Sequence, residues 1–212
     1  MYRPPAFRED DLPTLQAAMQ ASGLATLVSL GANGLIATPL PLLYDPAPPP
    51  WGMLLGHVAK ANPHWREAAA GAESLALFQG PDAYITPSWY AAKREHGKVV
   101  PTWNYVAIHA YGRVEFFEDA ARLHALVSRL TGKFEGGRAA PWAVTDAPEP
   151  FIASQIKGIV GVAFTITRLE GKWKMSQNRP VADRAGVVAG LETEGRGEVA
   201  AVVAARNEAA KD

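Results

Sequence analysis

Apolar and polar residues alternate along much of this chain, a period of two that is typical of β-strands with one buried face. The alternating stretches are bounded by Gly, Pro and Asn residues, which favour turns. The strands predicted in this way cover residues 24–30, 35–44, 51–59, 74–79, 83–86, 99–118 and 159–169, with a turn at 170–172 leading into a short strand at 173–175. Strands and helices do not alternate regularly, so the pattern favours an antiparallel barrel or sandwich of the α+β class.

Helical spacing, with apolar residues three or four positions apart, occupies other parts of the chain. It predicts helices over residues 10–22, 62–71 and 119–131, and two more within 180–212 that break at 194–197. A stretch rich in Gly, Pro and Ala, residues 132–150, is predicted to be a loop. We expect one mainly β domain with peripheral helices over residues 1–192, followed by a helical C-terminal tail over 193–212.

Two short segments rich in Gly, Asn or Pro modify the predicted strands near them. Gly31-Ala32-Asn33-Gly34 has the Asn-Gly pair of a tight hairpin turn. The strand that follows contains Thr38-Pro39-Leu40-Pro41, and proline cannot donate a hydrogen bond to a sheet. This strand is therefore expected at a sheet edge or a bulge, where a ligand could reach its backbone.

Composition removes several classes of protein. Cysteine is absent from the 212 residues, which excludes disulfides, thiolate nucleophiles and zinc ribbons. Lys and Arg together number 21, as do Asp and Glu, so the chain lacks the basic excess of proteins that depend on the phosphate backbone of DNA. The five histidines show no metal-ligand spacing, and no metal site is expected. No signal peptide or membrane-spanning run is visible, so we expect a cytoplasmic protein without membrane contact.

Three stretches carry candidate chemistry. Residues 99–114 combine aromatic and hydrogen-bonding side chains, including Trp103, Asn104 and His109, which suits a planar heterocyclic ligand or, alternatively, a half-buried strand packed on its neighbours. Residues 56–63 bring Lys60 to the start of a predicted helix, which suits a phosphate or an ordinary helix cap. The third stretch, residues 173–180, gathers Ser, Gln, Asn and Arg side chains that suit either a ligand or a turn.

These strings together resemble the PaiB-like family of FMN-binding negative transcriptional regulators. The resemblance is ordered along most of residues 1–192 and little of it lies beyond Glu192. It is carried by ATPLPLL at 37–43, GHVAKANPHW at 56–65, FQGPDAYITPSWY at 78–90, VVPTWNYVAIHAYG at 99–112, GIVG at 158–161 and SQNRP at 176–180. The family is similar to the split-barrel flavoproteins that include pyridoxamine-phosphate oxidase.

The resemblance implies an FMN-binding split β-barrel whose flavin lies in a groove between the two subunits of a homodimer. It implies that the backbone of Thr38, Pro39 and Leu40 lines the edge of the flavin ring. The side chains implied to reach the phosphate or the ribityl chain are His57, Lys60 and Asn62. Those implied to complete the pocket, some of them from the partner subunit, are Trp103, Asn104, Gln177 and Arg179.

The leading hypothesis is therefore an FMN-binding negative regulator of transcription, a role that rests on the resemblance alone. Neutral charge and the lack of a recognisable DNA-reading helix disfavour direct sequence-specific contact with DNA. One alternative is an FMN-dependent oxidoreductase that takes hydride from NAD(P)H, because the flavin itself carries such chemistry and no catalytic side chain is evident. Another is a haem-binding split barrel with His57 or His109 as the iron ligand.

Overall fold

The computed structural model describes the backbone of residues 1–209 and the side chains of residues 1–207. Its strands are β1 (Arg8–Glu9), β2 (Ala25–Gly31), β3 (Gly34–Leu40), β4 (Leu43–Asp45), β5 (Met53–Ala59), β6 (Ser74–Ile85), β7 (Thr102–Phe117) and β8 (Ile159–Lys174). Its α-helices are α1 (Leu12–Ala21), α2 (His64–Glu67), α3 (Ala91–Glu95), α4 (Ala120–Glu135), α5 (Glu149–Ile156), α6 (Val181–Thr193) and α7 (Gly197–Ala209). No helix in this part of the chain is both long and apolar enough to span a bilayer.

The strands form one sheet in the order β3-β2-β6-β7-β8-β5-β4, with β1 paired to β8 outside this path. Antiparallel pairing joins β2 to both β3 and β6, β5 to both β4 and β8, and β1 to β8. The predicted α+β class with an antiparallel sheet is confirmed. The predicted hairpin is confirmed too, because Gly31 pairs with Gly34, whose φ is 111°.

The chain divides into two compact units. Unit 1 comprises Met1–Leu15, Gln79–Ile108 and Glu170 to the end of the described residues. Unit 2 comprises Gln16–Phe78 and His109–Leu169. The long strands β6, β7 and β8 each contribute residues to both units. The predicted boundary between residues 192 and 193 stays a prediction, and residues 210–212 of the predicted tail lie outside the described residues.

The core of unit 2 forms where α4 lays its apolar face on the sheet. Asp119 caps this helix by accepting a hydrogen bond from the Arg122 backbone N–H at 2.8 Å. The buried cluster contains Leu123, Leu126 and Leu130 of α4, as the apolar spacing predicted, together with Phe117, Ile156 and Ala163. In unit 1, α6 and α7 pack on each other and bury Val187, Leu191, Val199 and Val203.

Two predicted strand breaks were wrong for the same physical reason. Residues 74–85 form one strand, and so do residues 159–174, although Gly80-Pro81-Asp82 and Glu170-Gly171-Lys172 have the composition of turns. A Cβ at Gly80 would lie 2.8 Å from the Val106 Cβ, and one at Gly171 would lie 2.8 Å from the Glu9 carbonyl oxygen. These glycines therefore make room for a neighbouring strand rather than ending their own.

Predictions about helices and one strand also need correction. The helix predicted over residues 62–71 is the single turn α2, because Ala68 leaves helical geometry and bridges Gly31. The strand predicted over residues 35–44 is divided into β3 and β4, as expected of a stretch that holds Pro41. Helix α3 lies between the strands predicted over residues 83–86 and 99–118, where no helix was predicted. Helix α4 extends four residues beyond its predicted end, and α5 begins within the predicted loop 132–150.

Replacing Gly112 with alanine is expected to destabilise the protein, whereas replacing Gly132 is not. A Cβ at Gly112 would lie 2.1 Å from the Thr165 carbonyl oxygen, so the backbone of β7 or β8 must shift. The expected loss is about 1–3 kcal/mol of unfolding free energy. Gly132 lies inside α4, and a Cβ added there would have no other atom within 4 Å. Gly132→Ala is therefore expected to raise the free energy of unfolding by about 0.5–1 kcal/mol. Urea denaturation of both variants checks the contrast, and equal midpoints would contradict it.

Candidate functional site

A buried hydrogen-bond network surrounds His64 in unit 2. The His64 side chain is 0% exposed, and its Nδ1 lies 2.8 Å from the Thr38 hydroxyl oxygen. Its Nε2 lies 3.0 Å from the Ser29 hydroxyl, which lies 2.9 Å from the Ser74 hydroxyl. Asn62 completes the network, because its Oδ1 accepts from the His64 backbone N–H at 2.9 Å and its Nδ2 donates to Thr38 at 3.4 Å. We call these five residues the His64 network.

Burial favours an uncharged imidazole in the network. Burial lowers the pKa of His64 below its ordinary value of 6.5, because a charged ring would lose its hydration. A neutral ring can accept at one nitrogen and donate at the other, which matches its two hydroxyl partners. The network thereby fixes the Thr38 side chain and the Asn62 side chain, two of the residues predicted to contact FMN.

The segment predicted to line the flavin ring lies on the last strand in the sheet order. Thr38 is half-buried, Pro39 is exposed and Leu40 is buried, and they pair with Leu27, Thr26 and Ala25 of β2. Because β3 has β2 as its one neighbour in the described sheet, its other edge is open. The expectation of an edge strand is confirmed, while the contact of these residues with a flavin stays a prediction.

Lys60 and His57 lie elsewhere in unit 2, and neither carries an uncompensated charge. The exposed Lys60 ammonium forms an ion pair with the exposed Glu118 carboxylate. Burial lowers the pKa of His57 below its ordinary value, and its Nδ1 is buried without a hydrogen-bond partner in the described part of the chain. The imidazole lines a mostly apolar cleft with residues of α4 and α5. A neutral imidazole suits a hydroxyl group better than a phosphate.

Unit 1 contains a second polar site, at the C-terminal end of β8. A cavity of about 120 Å³ is lined by Phe7, Thr102, Asn104, Lys174, Ser176, Asn178 and Arg179. Asn104 is 0% exposed and exchanges hydrogen bonds with the Ser176 hydroxyl at 3.0 and 3.1 Å. The Lys174 ammonium donates to the Thr102 hydroxyl and to the Trp103 carbonyl, each at 2.5 Å. We call this cavity the Lys174 pocket.

The Lys174 pocket has a surplus of positive charge. Burial lowers the pKa of Lys174, and the nearby Lys172 and Arg179 lower it further. The Arg179 guanidinium carbon lies 4.7 Å from the centre of the buried Tyr90 ring. Among the described residues, neither Lys174 nor Arg179 forms an ion pair with a carboxylate. A phosphate-sized anion in this cavity would relieve that repulsion.

Two more predicted residues accompany this pocket in different roles. Gln177 holds its own turn together, because its Oε1 accepts from the Met175 N–H at 2.7 Å and its Nε2 donates to the Trp173 carbonyl at 2.6 Å. Gln177 thus shapes the loop through its backbone partners. Trp103 is 54% exposed and meets Tyr84 edge to face, with 6.0 Å between ring centres, so it presents a large ring surface.

Sequence reasoning missed Ser29, His64, Ser74, Lys174 and Ser176. The sequence pattern could have indicated Ser29, because alternate residues of β2 point inward and Ser29 occupies one of these buried positions. A polar residue in such a register needs a buried partner. Ser176 and Lys174 lay within the stretch 173–180 already identified as a candidate, and their burial depends on the fold.

Acid is expected to weaken folding through His57 and His64. The folded pKa values of both are depressed, so the unfolded chain binds protons first as the pH falls through about 6.5. Their contribution is complete above that pH and declines below it, by at most about 1.4 kcal/mol per pH unit for each histidine. Urea denaturation between pH 7.5 and 5 checks this, with a shallower slope expected for His57→Leu. A pH-independent midpoint for the unmodified chain would contradict it.

Comparison with solved structures defines the class of fold. The chain superimposes with a TM-score of 0.59 on a conserved hypothetical protein from Mycobacterium tuberculosis, at 13% identity over 85% of this chain and 94% of that chain. It superimposes with a TM-score of 0.59 on the flavocytochrome Anf3 from Azotobacter vinelandii, at 15% identity over 82% of this chain and 72% of that chain. Superposition on the FAD and heme binding protein from Mycobacterium smegmatis gives a TM-score of 0.58, at 16% identity over 79% of this chain and 73% of that chain. The fold is a split β-barrel of the flavoprotein kind with peripheral and C-terminal helices.

Sequence comparison identifies the family. Residues 1–168 match the family described as "Putative FMN-binding domain". The chain is 34% identical over 194 residues to the protease synthase and sporulation protein PAI 2 from Bacillus subtilis, covering 92% of this chain and 90% of the relative. It is 40% identical over 173 residues to an uncharacterised protein from Aspergillus fumigatus, covering 66% of each. The chain belongs to this PaiB-like FMN-binding family, which confirms the resemblance of its motifs, and FMN is its cofactor.

Each of the two units contains residues that fit part of the chemistry of FMN. A flavin mononucleotide has a phosphate anion, a chain of hydroxyl groups and a planar ring with a hydrogen-bonding edge. The cations of the Lys174 pocket suit the phosphate, and the exposed ring of Trp103 suits stacking. In unit 2, the open edge of β3 offers backbone groups of the kind a flavin edge needs.

Proposed function

We propose that the chain is an FMN-binding regulator that lowers transcription and holds its flavin at a homodimer interface. The observation that carries the flavin part is the Lys174 pocket, where two cations and a buried Asn104–Ser176 pair surround a phosphate-sized space. The regulatory part is supported by the likeness to PAI 2, whose name links that protein to protease synthesis and sporulation. Bound FMN supplies a redox-active ring to such a protein.

In the proposed homodimer, some of the residues that hold each flavin come from the partner chain. Lys174 and Arg179 bind the phosphate, while the hydrogen-bonded Asn104 and Ser176 form part of the pocket wall. Thr38, Pro39 and Leu40 face the ring edge through their backbone, and Asn62 reaches the ribityl hydroxyls. Trp103 stacks against the ring or covers it. His57 and Lys60 contribute little to phosphate binding, because one is neutral and the other is paired with Glu118.

Repression is proposed to act without a sequence-reading helix of this chain. The net charge is zero, so the electrostatic affinity for the DNA backbone that non-specific binding needs is weak. The flavin state would instead alter how the homodimer contacts another component. The NAD(P)H oxidoreductase and haem-binding hypotheses stay predictions beside this proposal.

The first experiment is a titration of the purified chain with FMN, followed by flavin fluorescence and by light scattering. Saturable binding at one FMN per chain, to a particle of twice the chain mass, is expected. A monomer that binds FMN would reject the interface part of the proposal, and a chain that binds no FMN would reject its core. A promoter fragment added at physiological salt separates direct from indirect repression, because no shift in its migration is expected.

A further inference from the structure

A second cleft lies in unit 2, between β5 and the helices α4 and α5. Its volume is about 290 Å³, which is at the lower end of the range for small-molecule sites. The walls are apolar and include Val127, Ile152 and Ile159. Two large aromatic side chains line the same cleft and remain accessible, with Trp142 46% exposed and Phe151 54% exposed. Exposed aromatic rings around an apolar cleft mark a binding surface.

The polar groups of this cleft are few and carry no formal charge. They belong to His57, Thr131, Gln155 and the indole N–H of Trp142, and among the described residues no Asp, Glu, Lys or Arg lines the cleft. The Nδ1 atom of His57 is buried and has no hydrogen-bond partner within the described part of the chain. Because Nδ1 is buried, a ligand in the cleft would meet the other ring nitrogen, Nε2, which can donate or accept since no partner at Nδ1 fixes the tautomer.

The neighbouring cavity beside α5 has a different chemistry. It is larger, about 650 Å³, and it shares Val144, Ile152 and Ile156 with the cleft. Its lining includes His124 and two side chains of opposite charge, Glu149 and Lys157. The difference in lining favours an uncharged ligand in the smaller cleft, because a charged ligand would be stabilised by the charged side chains of the larger cavity instead.

We propose that the smaller cleft, of about 290 Å³, binds a small, uncharged hydroxyaromatic molecule. The ring of this ligand packs against Trp142 and Phe151, and its hydroxyl group forms a hydrogen bond with His57. The volume limits the ligand to one or two fused rings. A neutral imidazole suits a neutral hydroxyl, since neither partner has to carry a charge into an apolar site. This ligand is separate from FMN and does not depend on the regulatory role.

The test is calorimetric titration of the full chain, saturated with FMN, with 2-naphthol, naphthalene and 2-naphthoate. Binding of 2-naphthol is expected, with naphthalene about fivefold weaker for want of the hydrogen bond. The naphthoate anion is expected to bind more weakly still, because no cationic side chain of the described residues lines the cleft. Equal affinity for all three compounds, or no binding of 2-naphthol, would overturn the proposal.

Variants locate the ligand. Trp142→Ala is expected to weaken 2-naphthol about tenfold, whereas Phe134→Ala removes an aromatic ring of similar exposure outside the cleft and is expected to change nothing. His57→Leu is expected to bind naphthalene and 2-naphthol equally. If Trp142→Ala and Phe134→Ala act alike, the cleft is not the site.

Two competing occupants are tested on the same protein. If 2-naphthol binds the FMN-free chain and is displaced by FMN, the cleft belongs to the flavin and the proposal fails while FMN binding stands. If added haem gives a Soret band that His57→Leu abolishes, the cleft is a haem site and the proposal fails. Binding of 2-naphthol that neither cofactor disturbs supports a separate site.

Discussion

Removing the Arg179 or the Lys174 side chain is expected to weaken FMN binding about 10–100-fold, with little effect on riboflavin, which lacks the phosphate. Both cations line the Lys174 pocket, and neither has a carboxylate partner among the described residues. A charge-assisted hydrogen bond to a phosphate in such a site contributes about 1.5–3 kcal/mol. Fluorescence titration of Arg179→Ala and Lys174→Ala with FMN and with riboflavin measures the effect.

Two other lysines serve as controls for this result. Lys93 belongs to the same unit, is exposed, and donates to Ser88 at 3.0 Å, so Lys93→Ala is expected to leave FMN affinity unchanged. Lys60→Ala is expected to act weakly, because Lys60 is already paired with Glu118. If Lys60→Ala weakens FMN more than Arg179→Ala does, the phosphate lies in unit 2 and the assignment fails. Lys174→Arg is expected to recover part of the affinity by restoring the charge.

Replacing His64 with leucine is expected to destabilise the fold by about 2–4 kcal/mol. Leucine fills much of the ring volume but removes one hydrogen bond from each of the Thr38 and Ser29 hydroxyls, which keep their bonds to Asn62 and Ser74. Each buried hydrogen bond lost in this way costs about 0.5–1.5 kcal/mol, and the poorer fit of leucine adds to the loss. Urea denaturation at pH 7.5, where the histidine is neutral, measures the loss.

A double-mutant cycle separates the network from simple packing. Ser29→Ala removes one partner of His64, and the double variant His64→Leu with Ser29→Ala is expected to be more stable than the sum of the single losses predicts. The coupling is expected to be about 0.5–3 kcal/mol. Ser128→Ala is the matched control, because its hydroxyl bonds to the His124 carbonyl of its own helix and its loss is expected to be near neutral. Strict additivity in the cycle would show that His64 acts by packing alone.

The strands and the family were predictable from local signals. Alternation located most strands, and the Asn33-Gly34 turn set the β2–β3 register. The continuous strand β8 was not predictable, because Glu170-Gly171-Lys172 has turn composition and the reason for Gly171 is the closeness of β1, which lies far away in sequence. Helix α2 stopped early because Ala69 donates to the Leu30 carbonyl at 2.7 Å, again a contact between distant residues.

The sequence located the segments that form the candidate site, but it did not predict the role of each side chain within them. The family resemblance implied Gln177 and Arg179 as ligand residues, yet the side-chain amide of Gln177 bonds to the backbone of its own turn. Lys174 is the residue that reaches into the pocket, because it sits at the end of β8, beside the strand that carries Thr102. A list of donors in a short sequence does not reveal which ones point at a cavity.

Ser176 adopts a φ of 64°, in the left-handed region, while its hydroxyl is hydrogen-bonded to Asn104. That backbone favours glycine, and Ser176→Gly would relieve roughly 1–2 kcal/mol of strain. The same change would remove the hydroxyl that fixes one wall of the pocket. At position 176 the backbone conformation therefore favours glycine, whereas the proposed FMN site needs the serine hydroxyl. A thermostable variant obtained by screening for heat resistance alone is expected to accept glycine here and to lose cofactor as a result.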